Sequence, residues 1–130
     1  MDEEEATIRA FMRPDRRERW VSGLASPKRR RKTVAGLAHS PDLDPRFAHR
    51  VSPATQTADG ILSALLTRKA PTSCRVISED LDLDGTELPL DQAVTRIVGY
   101  TFGSLIICRP GRLAYYEGEE QGERYILERS

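Results

Sequence analysis

Five consecutive cations are the densest chemical signal in the chain: Lys28, Arg29, Arg30, Arg31 and Lys32. Ser26-Pro27 stands before them and is typical of a helix start, with Ser as the N-cap and Pro in the first turn. Cations in a first turn oppose the helix dipole and repel one another, so their presence indicates a use for the charge. Helix N-termini also offer unpaired N–H groups to anions. The run therefore predicts an anion-binding surface, which the preceding predicted helix extends with Arg13, Arg16, Arg17 and Arg19.

Three interpretations of this basic surface are open. It docks an acidic protein partner, it binds a nucleic-acid backbone, or it is a solvated face whose charges serve no partner. Aromatic residues are sparse in the first half of the chain, which has Phe11, Trp20 and Phe47. This disfavours a stacking platform for single strands. We expect a protein partner, with nucleic acid as the alternative.

A second candidate is an aspartate-rich loop containing Asp80, Asp82 and Asp84, followed by Gly85. This spacing matches the start of a calcium loop, in which three carboxylates converge on a hard cation such as Ca²⁺ or Mg²⁺. The twelfth loop position is Asp91. A predicted strand precedes the loop where an EF-hand has a helix, and Pro89 lies inside it. The alternative is an extended segment with one wet face, followed by an ordinary Asp-Gly turn.

The remaining candidates are weaker. A proline-interrupted loop carries His39, Asp42, Asp44 and His49, whose spacing fits no zinc pattern. Cys74 and Cys108 lie in apolar predicted strands and are expected to be buried, neutral thiols. No phosphate-binding glycine loop, nucleophile elbow or HExxH motif occurs. The sequence therefore favours binding over catalysis, with a metal-dependent enzyme or a metal-binding protein built on the aspartate loop as a third hypothesis. It predicts no cofactor unless that loop takes Ca²⁺ or Mg²⁺.

Charge is divided between the two halves of a chain whose formal net charge is zero. Residues 1–70 contain 14 basic and 9 acidic side chains, whereas residues 71–130 contain 6 basic and 11 acidic side chains. Such asymmetry is typical of a polyanionic partner, or of two halves that attract each other. The 130 residues suit a single domain with a basic helical half (1–70) and an acidic, β-rich half (71–130).

Apolar periodicity predicts helices in the first half and mostly strands in the second. Helices are expected at 6–12, 14–25, 26–38 and 58–69, the last capped by Thr57, with a loop over 39–53. A strand at 74–78, a helix at 90–98 and strands at 104–108, 113–117 and 124–128 follow. This β-α-β-β-β order predicts an α+β fold, with helices on one face of a small, largely antiparallel sheet.

The same sequence predicts where the protein works. The chain starts with the acidic run Met1-Asp2-Glu3-Glu4-Glu5, unlike a secretory signal, and no apolar run approaches a membrane span. We therefore expect a cytoplasmic protein that does not enter a membrane.

Tyr115 and Tyr116 are adjacent in a predicted strand and must point to opposite faces, so one of them is exposed unless both faces are covered.

Overall fold

The structure, a computed structural model, describes residues 2–39 and 42–130 and has five α-helices within them. They are α1 (Glu3–Phe11), α2 (Arg17–Ala25), α3 (Arg30–Ala35), α4 (Ala58–Thr67) and α5 (Leu90–Ile97). Short 3-10 helices occupy Pro14–Arg16, Gly36–Ala38 and Pro53–Thr55. The predicted Thr57 cap is present, because its Oγ1 accepts a hydrogen bond of 3.0 Å from Gly60 N. None of these helices combines the length and apolar character needed to cross a membrane.

Six strands of the described residues form one antiparallel sheet in the order β1-β6-β5-β4-β2-β3. They are β1 (Ala48–Arg50), β2 (Ser73–Ser78), β3 (Glu87–Pro89), β4 (Ser104–Arg109), β5 (Leu113–Glu117) and β6 (Arg124–Glu128). A tight turn joins β4 to β5, with Gly111 at φ 73°, a left-handed conformation that glycine adopts without strain. The predicted α+β class is confirmed.

Helices cover both faces of this sheet. On one face, α4 and α5 contribute Ile61 and Val94 to a core that includes Val76 of β2. On the other face, α1, α2 and α3 contribute residues such as Phe11 and Trp20 to a second core. Successive strand residues alternate between the two cores, as the two-residue period of a strand requires.

The expectation that helices cover one face is therefore corrected to a three-layer arrangement. Tyr115 packs in the α4–α5 core and Tyr116 in the α1–α3 core, and each is 1% exposed or less. The continuous apolar character of β4 and β5 has the same cause, since a strand buried on both faces has no polar side. The apolar pattern of β4 and β5 therefore indicates that both faces of the sheet are covered, but it does not indicate which helices lie on which face.

Two edge strands were not predicted. β1 lies inside the segment predicted as loop, and β3 follows the aspartate-rich segment. Each has three residues, and their side chains are exposed or half-buried, so neither shows the apolar pattern on which the strand predictions depended. Short edge strands of this kind also limit unwanted pairing with other chains.

Candidate functional site

The basic surface is built on the junction of α2 and α3. Gly23 of α2 lies directly against Thr33 of α3, where even a methyl group on Gly23 would overlap the Thr33 side chain. Gly36, just after α3, lies against the ring of Trp20. These glycines let the two short helices approach closely, and their polar sides border a shared groove.

Four cations line this groove, which has a volume of about 500 Å³. They are Arg16, Arg19, Arg29 and Lys32; we call this set and the space it encloses the α2–α3 groove. Trp20, the only tryptophan of the chain, also lines the groove, although only 5% of its surface is exposed. The groove therefore combines a cationic rim with an aromatic wall.

One carboxylate lies within the same groove. Asp42 Oδ2 accepts a hydrogen bond of 2.9 Å from Trp20 Nε1. Its Oδ1 lies 3.6 Å from Arg13 Nη2 and 3.6 Å from Arg16 Nε. Asp42 therefore fixes Trp20 and two guanidinium groups in place, and it offsets part of the positive charge.

The five-cation run does not act as a unit, because Arg30 points into the protein. Its guanidinium donates to both oxygens of Glu4 at 2.7 and 2.9 Å, and to both oxygens of Asp84 at 2.8 and 3.1 Å. The hydrogen bonds to Glu4, and to a smaller extent those to Asp84, raise the pKa of Arg30 above its ordinary value. Two carboxylates of the protein already neutralise Arg30, and its side chain does not line the α2–α3 groove.

The other predicted cations have different positions. Arg17 donates from Nε to Met12 O at 3.0 Å and so joins α1 to α2. Lys28 is exposed in the turn before α3. Arg31, also exposed, borders a separate depression together with Leu81.

The predicted helix start also shifts. Ser26 Oγ accepts from Arg29 N at 3.3 Å, but residues 27–29 form a turn and α3 begins at Arg30.

The aspartate-rich loop does not gather its carboxylates. Asp80 Oδ1 accepts from Asp82 N at 3.0 Å, Asp84 binds Arg30, and Asp91 lies in the first turn of α5. Within residues 2–39 and 42–130, no three His, Cys, Asp or Glu side chains are placed to hold a metal ion. The calcium-loop prediction for Asp80, Asp82, Asp84 and Asp91 is thus not borne out. Of the alternative, the extended segment is wrong, because residues 81–85 form a turn, whereas the turn expected at Asp84-Gly85 is present, with Gly85 at a φ of 75°.

The histidine and aspartate residues of the 39–49 segment are likewise dispersed. His39 pairs with Glu119 at 3.7 Å, and His49 is exposed on edge strand β1. Asp44 is 3% exposed and accepts from Arg46 Nη2 at 2.7 Å, which lowers the pKa of its carboxyl. Only Asp42 of this set lines the α2–α3 groove.

Both cysteines are buried thiols, as predicted. Burial raises the pKa of each thiol to about 12, so neither is a ready nucleophile at neutral pH. In the register of β2 and β4, Arg75 faces Ile107. Continuing this antiparallel register by one residue places Cys74 across from Cys108. Their role on this side of the sheet is packing.

A buried carboxylate at the end of β5 was not predicted. Glu117 is fully buried and accepts hydrogen bonds from Tyr115 Oη at 2.8 Å, Thr101 N at 2.9 Å and Gly99 N at 3.1 Å. Arg124 Nε lies 3.5 Å from it. Because Thr101 has a φ of 58°, which is strained for a β-branched residue, Glu117 holds the 99–103 loop in an unusual conformation.

The sequence offered one unused signal for the α2–α3 groove. Arg16 and Arg19 are three residues apart, and so are Arg29 and Lys32, which places each pair on one side of its turn or helix. No comparable signal marks Glu117, because a glutamate at the end of a strand is ordinarily exposed. Comparison of the chain with known protein families, with curated proteins and with solved structures finds no match.

Proposed function

We propose that the protein acts by binding, and that the α2–α3 groove docks an acidic segment of a protein partner. The observation that carries this proposal is the convergence of four cations, from α2, α3 and the short segments that lead into them, on one groove beside Trp20. Carboxylate side chains suit such a site, since arginine forms strong, directional hydrogen bonds with them. Tryptophan and arginine are also the residues that most often dominate the binding energy of protein interfaces.

The surroundings of the groove favour a protein segment over a nucleic acid. Asp42 lies inside the groove, and the exposed acid Asp15 lies 3.9 Å from the groove cation Arg16. A duplex presents a long, regular row of phosphates and needs a continuous basic surface. These acids interrupt such a surface, and the inward turn of Arg30 shortens it further. A short acidic peptide needs only the groove itself.

Trp20 provides a direct readout for the test. As the only tryptophan of the chain, it reports by its fluorescence on events in the groove. The probes are a short glutamate-rich peptide, a scrambled peptide with glutamine in place of glutamate, and a duplex DNA. Each is titrated at ~50 and ~200 mM salt, which separates electrostatic from apolar binding. We expect the glutamate peptide to bind saturably and to change the Trp20 emission, and the glutamine peptide to do neither.

Matched charge reversals assign the binding to the groove. Arg19→Glu/Lys32→Glu changes two groove cations, whereas Arg31→Glu/Arg96→Glu makes the same change in net charge at exposed positions outside it. We expect at least tenfold weaker peptide binding for the first pair only. Equal weakening by both pairs, or no binding to the unaltered protein, would overturn the proposal. Tighter binding of the duplex, lost with the groove pair, would replace it by nucleic-acid recognition.

A further inference from the structure

A second cluster of cations lies where the β4–β5 turn meets the carboxyl end of α4. Its members come from three segments of the chain and line one depression of about 470 Å³: Arg68, Lys69, Arg109, Arg112 and Arg129. We call these five residues the hairpin-end cluster. No local sequence pattern predicts the cluster as a whole, because its members are spread over about half of the chain length.

Neutral groups hold three of these side chains in place, and of the three only Arg68 also contacts a carboxylate. Arg68 Nη1 donates to Ala64 O at 2.9 Å, Arg109 Nη2 donates to Arg68 O at 3.3 Å, and Arg129 Nη1 donates to Ala10 O at 3.2 Å. Arg129 also lies over the ring of Phe47, 4.4 Å from its centroid. Carbonyl oxygens and an aromatic ring fix the guanidinium groups but leave their charge in place.

The cluster keeps an excess of positive charge. Glu128 lines the same depression and lies 3.3 Å from Arg68 Nε. Within the described residues, neither Lys69 nor Arg112 makes a side-chain hydrogen bond or ion pair, and Arg109 Nε is buried without a hydrogen-bond partner. Five cationic side chains and a single carboxylate side chain, that of Glu128, thus line the depression. The dipole of α4 accounts for cations at its carboxyl end, but Arg109 and Arg112 belong to the strand turn, where no such dipole acts.

We propose that the hairpin-end cluster is a binding site for a small anion that carries a di- or triphosphate group. Arginines match phosphate oxygens with paired N–H donors, and positions fixed in advance reduce the entropy lost on binding. The volume suits a small molecule and exceeds what a single phosphate fills. This site shares no residue with the α2–α3 groove, so it stands apart from the proposed docking of an acidic partner.

Inorganic pyrophosphate is the probe for this site, and calorimetry together with amide NMR shifts measures its binding. We expect saturable binding, with the largest shifts at residues 67–69 and 109–112. Lys69→Gln/Arg112→Gln changes the two cluster cations whose side chains make no hydrogen bond or ion pair within the described residues, so the fold is expected to remain intact. This pair should weaken binding at least tenfold. The matched control is Arg19→Gln/Lys32→Gln in the α2–α3 groove, which should leave it unchanged.

The outcomes separate this proposal from the first. Pyrophosphate binding that responds to the hairpin-end pair alone supports the phosphate site, whatever the glutamate peptide does. An absence of binding at millimolar pyrophosphate overturns it. Equal weakening by both pairs, or shifts spread over every exposed cation, also overturns it, because the binding would then follow net charge rather than this cluster.

Discussion

Arg30 and Asp84 join the basic helical half of the chain to the acidic half through two hydrogen bonds, of 2.8 and 3.1 Å. They are 54 positions apart in sequence. Glu4 of α1 completes the arrangement and also lies 3.1 Å from Arg75 Nε of β2. Arg30, a member of the five-cation run, and Asp84, a member of the aspartate-rich loop, are therefore structural partners. This pairing tethers α3, which has only six residues, to the edge of the sheet.

We predict that Arg30→Met lowers the free energy of unfolding by about 2–3 kcal/mol, because it leaves the buried carboxylate of Glu4 and the partly buried carboxylate of Asp84 without their main partner. Arg31→Met, one position along, should change it by less than about 0.5 kcal/mol since its side chain is exposed. Urea unfolding measures both. Asp84→Asn, made both in the unaltered protein and in the Arg30→Met variant, completes a double-mutant cycle. Additive losses would show that the side chains of Arg30 and Asp84 are not coupled.

The sequence predicted the sheet centre, α4 and α5 well because their apolar residues repeat with clear periods. β4, β5 and β6 were all predicted to within one residue, and α4 began where Thr57 required. Burial of Arg30 could not be predicted in this way. Its partners Glu4 and Asp84 are distant in sequence, and local spacing gives the same weight to Arg29, Arg30 and Arg31. Which of three adjacent arginines turns inward depends on tertiary contacts alone.

The same limit applies to the candidate sites. The α2–α3 groove was anticipated in outline, since two of its cations were expected on each helix, but the roles of Gly23, Gly36 and Asp42 in shaping it were not. The hairpin-end cluster depends on long-range contacts such as that between Arg129 and Ala10. Sequence patterns describe one helix or strand at a time, and both sites lie between elements.

We predict that Glu117→Gln destabilises the protein by about 3 kcal/mol or more and loosens the 99–103 loop. The substitution keeps the size of the side chain but removes the charge that faces Arg124 inside the protein, where an unpaired cation is costly. Hydrogen exchange should accelerate most at the amides of Gly99 and Thr101, which donate to this carboxylate. Glu119→Gln, nearby but exposed, is the control. Unchanged protection of the two amides would contradict the assigned role.

We predict that Gly23→Ala costs about 1–3 kcal/mol even though alanine favours helices. Its methyl group would overlap the Thr33 side chain, so α2 and α3 must separate. Gly36→Ala is the graded comparison, because its methyl group would lie 3.3 Å from the Trp20 ring and needs only a small adjustment. Thermal unfolding and Trp20 emission measure the two effects. If Gly23→Ala is as stable as the unaltered protein, the close approach of the two helices is not required.

We predict that the buried thiols make the protein less stable as the pH rises above about 9. In the unfolded chain a thiol ionises near its ordinary pKa of 9.0, whereas in the fold burial raises the pKa of Cys74 and Cys108 to about 12. Below pH 9 both states are protonated and the thiols have no effect. Between these values only the unfolded state loses the proton, so the free energy of unfolding falls by up to roughly 1.4 kcal/mol per pH unit for each thiol. Denaturant unfolding between pH 8 and 9.5 measures the slope; this window ends below the ordinary tyrosine pKa of 10.0, because burial also raises the pKa of Tyr115 and Tyr116 in the fold and their ionisation in the unfolded chain would add to the slope. Cys74→Ala/Cys108→Ala should be less stable at pH 8, because packing is lost, yet show a shallower decline. Equal slopes would mean that the thiols already ionise in the folded protein.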